Sequence, residues 1–427
     1  MVLLLEIISH ITEAIENKKY TLGVFLDLTK AFDTISHKIL LEKLSVYGIR
    51  GIAHKLISNY LTNRIQFVDT GMSCSSRLPI TSGVPQGSVL GPLLFLLYIN
   101  DMPSFSIILK YILFADDTTA IYSTSSLDEL FTVMNHEMSS LTEWFSANKL
   151  QLNASKTKLA LFMTYQKEAR TNIDTEKCSI SIDKTAITLS NDVKFLGLHL
   201  DKNLSFGTHI TTACNKLTKG LYALSKASKV LQVNDLKTLY YALIHPHLNY
   251  GILIWGGTCK KDSFYHKLDK GPMKNNMNSL SAIHKLQKRS LRIISKTGFH
   301  HHHIPLCLSL KILDLEHLYD IKALCFFYDY LHTRLPPFFA NKLILYNRRD
   351  ELCIKSKYRR TDIAASTVFH TLPNIWNPLP KTLKLLIYKS KTTFIAHLKE
   401  YYLSLYEDWV CPVSNCFICL KRSSVIK

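Results

Sequence analysis

Two adjacent carboxylates, Asp116 and Asp117, stand in the run Phe114-Ala115-Asp116-Asp117, between the apolar, β-prone segments Tyr111-Ile112-Leu113 and Ala120-Ile121-Tyr122. A third acid, Asp27, closes another apolar run far upstream. Like charges held side by side raise a pKa or demand a counter-ion. Magnesium is the usual one, because it takes hard oxygen ligands, keeps several waters and often needs only one or two carboxylates beside a substrate phosphate. Two such ions, roughly 3.5–4 Å apart, can activate an attacking oxygen and stabilise a leaving one, the arrangement of polymerases and nucleases. Taken alone, an Asp-Asp pair reads more simply as a solvated turn. The rest of the chain decides between the two.

The elements that must position these acids are legible from periodicity. Residues 2–16 carry apolar side chains at helical spacing, and Tyr20 to Leu28 reads as a buried strand, which puts Asp27 at a strand end. Ser36 to Tyr47 reads as an amphipathic helix ended by Gly48, Ile52 to Leu61 as a second helix, and Ile65 to Val68 as extended chain. Gly83-Val84-Pro85-Gln86-Gly87-Ser88 is a loop leading into an apolar helix from about Pro92 to Ile99. Tyr111 to Tyr122 is then a hairpin with the acids at its tip, Leu127 to Asn148 a helix, and Lys158 to Tyr165 and Val193 to Leu200 strands. No internal repeat appears.

At 427 residues and 47% hydrophobic, the chain can bury a large core in two or three domains. Lysine and arginine number 52 against 33 aspartates and glutamates, a formal net charge of +19. With a pI near 9.3 this points to a polyanionic partner, nucleic acid first. The basic excess concentrates from Lys202 to about Lys296, interleaved with Tyr222, Tyr240, Tyr241, Tyr250 and Trp255. Basic helices with aromatics can track a phosphate backbone and stack on bases, although Trp255 reads better as core. Gly256-Gly257 and Gly271-Pro272 mark a boundary before a C-terminal region rich in Leu, Tyr, Phe and His.

Ten cysteines without regular spacing suit free thiols in a reducing compartment. Cys411, Cys416 and Cys419 lack a fourth ligand at a finger-like distance, and His300-His301-His302-His303 reads as a polar loop before Ile304-Pro305. Val2-Leu3-Leu4-Leu5 is broken by Glu6 and the apolar run Leu93 to Ile99 is too short to span a bilayer. An intracellular protein of the nucleus or cytoplasm, with no membrane partner, is expected.

Taken in order, Phe25-Leu26-Asp27-Leu28-Thr29-Lys30-Ala31-Phe32-Asp33, then Gly83-Val84-Pro85-Gln86-Gly87-Ser88-Val89-Leu90-Gly91-Pro92, then Phe114-Ala115-Asp116-Asp117 closely resemble the palm of non-LTR (LINE-type) retrotransposon reverse transcriptases, jockey-like elements in particular. Leu150-Gln151-Leu152-Asn153-Ala154-Ser155-Lys156-Thr157 and Phe195-Leu196-Gly197 match two further motifs. Ile244-His245-Pro246-His247-Leu248-Asn249-Tyr250-Gly251 and Leu286-Gln287-Lys288-Arg289 look like the thumb and the region after it. Five ordered motifs displace the solvated-turn reading.

The resemblance implies an α+β fold: a polymerase palm, a small antiparallel sheet backed by helices, over residues 1–200, then a basic helical thumb or connection over 201–298 and a C-terminal helical region over 299–427. It implies that Asp27, Asp116 and Asp117 hold two Mg²⁺ ions, with Mn²⁺ able to substitute and with Asp27 and Asp116 as main ligands. It gives Phe32 the place of the aromatic that excludes a 2′-hydroxyl, and Gln86 and Gly87 the loop under the templating pair. Lys156, or Lys158 nearby, matches the lysine that protonates pyrophosphate, whereas Asp33 reads as a structural or capping acid. The implied partners are an RNA template, a DNA primer and deoxynucleoside triphosphates. The chain begins about where the palm does, so the fingers are expected to be largely missing. The upstream endonuclease of such elements is not visible either, so it is expected on another polypeptide; nor is a ribonuclease H signature or a Cys-His knuckle visible. The expected activity is RNA-directed DNA polymerisation; the alternative is a truncated, inactive remnant that binds nucleic acid.

Overall fold

In the computed structural model, the strand that leads to Asp27 is buried at all seven positions, Tyr20–Leu26, as the middle of a sheet requires. The structure describes residues 1–171, 178–182, 185–257 and 280–410. The Cys411, Cys416 and Cys419 cluster and the Gly271-Pro272 boundary lie outside the described residues. Two compact units are present: residues 17–197 with 201–203, and residues 1–16 and 198–200 with the chain from 204 onward.

In chain order the elements up to the end of the first unit are α1 (Val2–Glu16), β1 (Tyr20–Leu26), α2 (His37–Val46), α3 (Gly51–Leu61), β2 (Ile65–Gln66), β3 (Leu78–Pro79), α4 (Leu90–Ile99), β4 (Lys110–Phe114), β5 (Asp117–Thr124), α5 (Leu127–Ala147), β6 (Lys158–Phe162), α6 (Tyr165–Arg170), β7 (Ser179–Ile182), β8 (Thr185–Thr188), β9 (Asp192–Phe195) and β10 (Leu198–Asp201). The central sheet is antiparallel, in the order β4-β5-β1-β6. Tyr20 to Leu26 pair with Thr124 to Thr118 on one side, and Thr21 to Phe25 with Phe162 to Lys158 on the other. Alternation along β1 turns Leu22, Val24 and Leu26 into a core with Leu130, Met134, Met138, Leu141 and Phe145 of α5, spaced at helical intervals. Ser126 caps α5 by accepting the Glu129 N–H. From α4, Leu94, Phe95 and Tyr98 enter the same core, and the Tyr98 hydroxyl donates to Asn148 O at 2.6 Å. This is the expected small antiparallel sheet backed by helices.

Three expectations need adjustment. The apolar helix starts at Leu90 rather than Pro92, because proline's missing N–H costs nothing in a first turn. The strand from Lys158 stops at Phe162, where Thr164 caps α6 by accepting the Lys167 N–H. Val193 to Leu200 is not continuous: Leu196 (φ +43°) and Gly197 (φ +81°) turn the chain between β9 and β10. The β7–β8 hairpin carried no signal we read from sequence.

The second unit holds α1 and, beyond β10, α7 (Gly207–Ala227), α8 (Val233–Leu243), α9 (His245–Asn249), α10 (Ile252–Trp255), α11 (Leu280–Ile294), α12 (His303–Leu310), α13 (Leu315–Leu331), the hairpin β11 (Leu345–Arg348) and β12 (Glu351–Ile354), α14 (Asp362–Ala365), α15 (Val368–Trp376), α16 (Lys381–Leu385) and α17 (Lys391–Ser404). The described residues from 204 on, expected as two regions divided after 298, fall in one unit, and residues 201–203 belong with the first. One cause is Gln287 of α11, whose side-chain amide donates to the Tyr240 hydroxyl (3.2 Å) and to Leu313 O (3.0 Å), tying both stretches together. Trp255 is fully buried as expected, and so is Tyr240; Tyr222, Tyr241 and Tyr250 are exposed. Cys74, Cys178, Cys214, Cys307, Cys325 and Cys353 are free thiols. No helix of the described residues is long and apolar enough to cross a membrane.

Candidate active site

Asp27 follows the last residue of β1. Because Leu26 faces Thr118, continuing the antiparallel register by one residue sets Asp27 opposite Asp117, the first residue of β5. Phe114 pairs with Asp117, so Ala115 and Asp116 alone make the hairpin turn. Two-residue hairpin turns match the twist of their strands only with positive φ, and Ala115 sits at φ +51°. For an alanine that conformation costs roughly 1–2 kcal/mol. Strain of this kind persists where the surroundings over-determine it, functional turns above all.

The electrostatics of the three acids follow from this placement. Partial burial raises the Asp117 pKa above the ordinary value, and the nearby Asp116 and Asp27 carboxylates push it further in the same direction. Asp27 Oδ2 is buried with no hydrogen-bond partner. The exposed Lys156 ammonium stands 3.6 Å from that oxygen, beyond hydrogen-bond reach. An orphaned carboxylate oxygen beside two further carboxylates is a hard, anionic donor set short of positive charge, and it fits a divalent ion.

A second strand-like segment holds Asp27 from behind. Its carbonyl accepts the Asn153 N–H at 2.8 Å, its own N–H donates to Thr157 Oγ1 at 3.4 Å, and the Thr29 N–H donates to Gln151 O at 2.9 Å. The Asn153 side-chain oxygen accepts from the Ser155 hydroxyl (2.7 Å) and the Lys156 N–H (3.3 Å), an Asx-type turn that brings Lys156 round to Asp27. Lys158 begins β6 opposite Phe25.

The Gly83–Ser88 loop is stitched to residues 32–37. The Val84 N–H donates to Phe32 O and the Gly83 N–H to Ile35 O, each at 2.8 Å, and His37 Nε2 lies 2.6 Å from Gly83 O. Gly83, at φ +83°, leaves no room for a Cβ, which would stand 2.7 Å from Asp33 O. The half-buried Phe32 ring rests on Phe95 at 4.7 Å between centroids. Gln86 donates through Nε2 to Asp33 Oδ1 at 2.9 Å, and Gly87, at φ +80°, has no protein atom within 4 Å of where a Cβ would lie.

Asp27, Asp116, Asp117 and Lys156 are thus gathered at one end of the sheet, and Phe32, Gln86 and Gly87 belong to a loop pair that begins five residues after Asp27. Asp33, read as a structural acid, is the partner of Gln86; nothing in the sequence pairs two polar residues that far apart. Asn153 and Thr157 were also missed as supports, though the Asn-x-Ser spacing is an Asx-turn signal.

The sheet is antiparallel with carboxylates at the ends of its central strands, and residues 4–200 match the family model described as reverse transcriptase (RNA-dependent DNA polymerase). The match takes in the whole sheet and its carboxylates, and the family it points to generally uses divalent metal ions. The chain's relatives are polymerases of non-LTR retrotransposons. The probable RNA-directed DNA polymerase from transposon X-element of Drosophila melanogaster is 30% identical over 261 residues, covering 59% of this chain and 28% of its own length. The probable RNA-directed DNA polymerase from transposon BS of the same species is 28% identical over 269 residues, with 59% and 28% covered. The RNA-directed DNA polymerase from mobile element jockey, also of that species, is 27% identical over 266 residues, with 60% and 28% covered. The matched part therefore spans 28% of the length of each of these relatives.

Proposed function

We propose that this chain extends a DNA primer 3′-hydroxyl on an RNA template with deoxynucleoside triphosphates, as the polymerase of a non-LTR retrotransposon. The observation that carries this reading is the orphaned Asp27 Oδ2 at the end of β1, in register with Asp117 at the hairpin. Asp27, Asp116 and Asp117 would hold two Mg²⁺ ions, or Mn²⁺ in their place, which supply acidity to the primer hydroxyl and neutralise charge on the departing pyrophosphate. The chain's own groups do the rest. Phe32, braced by Phe95, limits space at the sugar and disfavours a 2′-hydroxyl. Gln86, held by Asp33, and Gly87, with open space on its Cβ side, let backbone approach the nucleotide. The Lys156 ammonium, facing Asp27, gives its proton to the leaving pyrophosphate.

In this reading residues 1–200 act as the palm, 201–298 as a basic thumb that tracks the phosphate backbone, and 299–427 as a C-terminal helical region. The protein works in the nucleus or cytoplasm. The test is primer extension by the purified chain on an RNA template with labelled deoxynucleotides and Mg²⁺ or Mn²⁺, beside D116N/D117N and a filter-binding control. Extension that disappears in the variant while binding persists supports the polymerase. Salt-sensitive binding with no extension by either protein overturns it in favour of a nucleic-acid-binding remnant.

A further inference from the structure

Among the described residues, one group of metal-ligating side chains lies outside the carboxylate site. His284 on α11, His303 at the start of α12 and Asp314, which caps α13, bring one ligand atom each within 4.8 Å of one another. Three separate elements therefore converge on one point. Cys307, fully buried one helical turn after His303, is not one of the group, and burial pushes its thiol up. We propose that His284, His303 and Asp314 bind a zinc ion in the C-terminal unit, as the three protein ligands of a site whose fourth position is open.

The chemistry of the set suits zinc, which takes imidazole and carboxylate ligands and is often held by three protein groups with the fourth position open. Tetrahedral zinc holds its nitrogen and oxygen ligands about 3.3 Å apart, so modest side-chain rotations close the present spacing. Ligands must bind deprotonated. Burial pushes Asp314 up, but the His317 ring, the His317 N–H and His284 outweigh it, and the carboxyl lies well below the usual range. Asp314 is also oriented from outside the set: Oδ1 accepts the His317 N–H at 2.9 Å and lies 3.0 Å from His317 Nδ1, itself 2.7 Å from the Tyr406 hydroxyl. Such outer partners are what fix metal-binding carboxylates. The four-histidine run divides accordingly, with His303 turned to the cluster and His300 exposed. Lys288, one turn after His284, contends with an ion for the negative charge of Asp314.

The test uses the full chain carrying C411S, C416S and C419S, which removes thiols able to bind zinc by themselves. Titration with Zn²⁺ against a chromophoric chelator should show one bound equivalent, and Co²⁺ should give tetrahedral visible bands that H303Q and D314N diminish. H303Q and D314N should each weaken Zn²⁺ by more than the roughly 10–100-fold worth of an outer partner, whereas H300A/H301A should leave it unchanged. K288M should tighten binding, a gain that a misfolded variant does not give. A C411S/C416S/C419S chain that binds no zinc overturns the proposal, as does binding undiminished in folded H303Q and D314N, or K288M that fails to tighten it.

Discussion

The Gln86 side-chain amide donates to Asp33 Oδ1 at 2.9 Å, joining the turn after the first catalytic-type strand to the Gly83–Ser88 loop. Both residues are exposed, so the bond is worth about 1 kcal/mol. In the proposed function Asp33 acts through Gln86, as a positioning residue. D33A should raise the KM for deoxynucleotides about 5-fold, the equivalent of that energy, with little change in kcat, while D33N, which still offers an oxygen, should stay near the parent. Steady-state extension kinetics read this. A loss in kcat alone, or no rescue by D33N, would contradict the positioning role.

The same loop distinguishes its glycines. At Gly83 a Cβ would meet Asp33 backbone atoms at 2.7–2.9 Å, and backbone cannot swing aside. G83A should therefore cost about 2–4 kcal/mol, from left-handed strain and overpacking together. Gly87 has the same sign of φ and open space, so G87A should cost only the strain, about 1–2 kcal/mol. Urea denaturation of both variants measures the difference; equal costs would mean that the close approach to Asp33 does not hold in solution.

Ala115 offers the opposite sign. Its φ of +51° strains any residue with a Cβ, and glycine relieves it. A115G should stabilise the unit carrying the sheet by up to about 1 kcal/mol, and A115V should destabilise it, because a β-branched side chain tolerates that conformation least. Differential scanning calorimetry of the pair settles the sign, and a destabilised A115G would show that the hairpin tip is not strained.

These positions also mark where sequence and structure part. Asp27 was legible because an apolar run of strand length ended on an acid, and the hairpin because two β-prone runs flanked Asp116 and Asp117. The helices α2, α3 and α5 were legible to within a residue or two because one face of each is apolar at helical spacing. The Asp33–Gln86 bond was not, since two polar side chains far apart in sequence carry no periodic signal. Nor was the Ala115 conformation, for alanine states no preference for positive φ. The assignment of α1 to the unit beyond residue 204 depends on long-range packing, which periodicity cannot express.

Glu16, the last residue of α1, gives a pH dependence. Burial raises its pKa, but hydrogen bonds from the Thr361 hydroxyl, the Arg360 N–H (2.9 Å) and the Thr361 N–H (2.7 Å), with the Arg360 charge, outweigh it and leave the carboxyl below 4.5. A carboxyl lowered on folding contributes stability that is complete above its unfolded value and is lost as pH falls through the folded one. Stability of the second unit should therefore fall as pH drops below about 4.5. E16Q should cost about 2 kcal/mol at pH 7 and make the unit less sensitive to acid. Denaturant titrations at pH 7 and pH 3.5 test it; an unchanged acid sensitivity in E16Q would assign the effect to other groups.

In the proposed function the basic groove beside α11 is where nucleic acid is held. Lys229, Arg289, Arg292, Lys296 and Phe299 line a space of about 410 Å³. Arg292 is committed to the fold, since its Nε donates to His301 O at 2.8 Å and its guanidinium lies 5.6 Å from the Phe299 ring. Lys229, Arg289 and Lys296 are exposed and suited to phosphates. Each phosphate contact contributes about 0.7 to the slope of log affinity against log salt for single strands and about 0.9 for duplexes. R289A/K296A should therefore lower that slope by about 1.4–1.8 and weaken binding alike across sequences, since backbone contacts carry no base information. Fluorescence anisotropy over a salt series, with K355A as a control on a residue outside the groove, measures it. A slope that R289A/K296A leaves at the parent value would move the nucleic-acid path off α11, whatever the fate of the palm carboxylates.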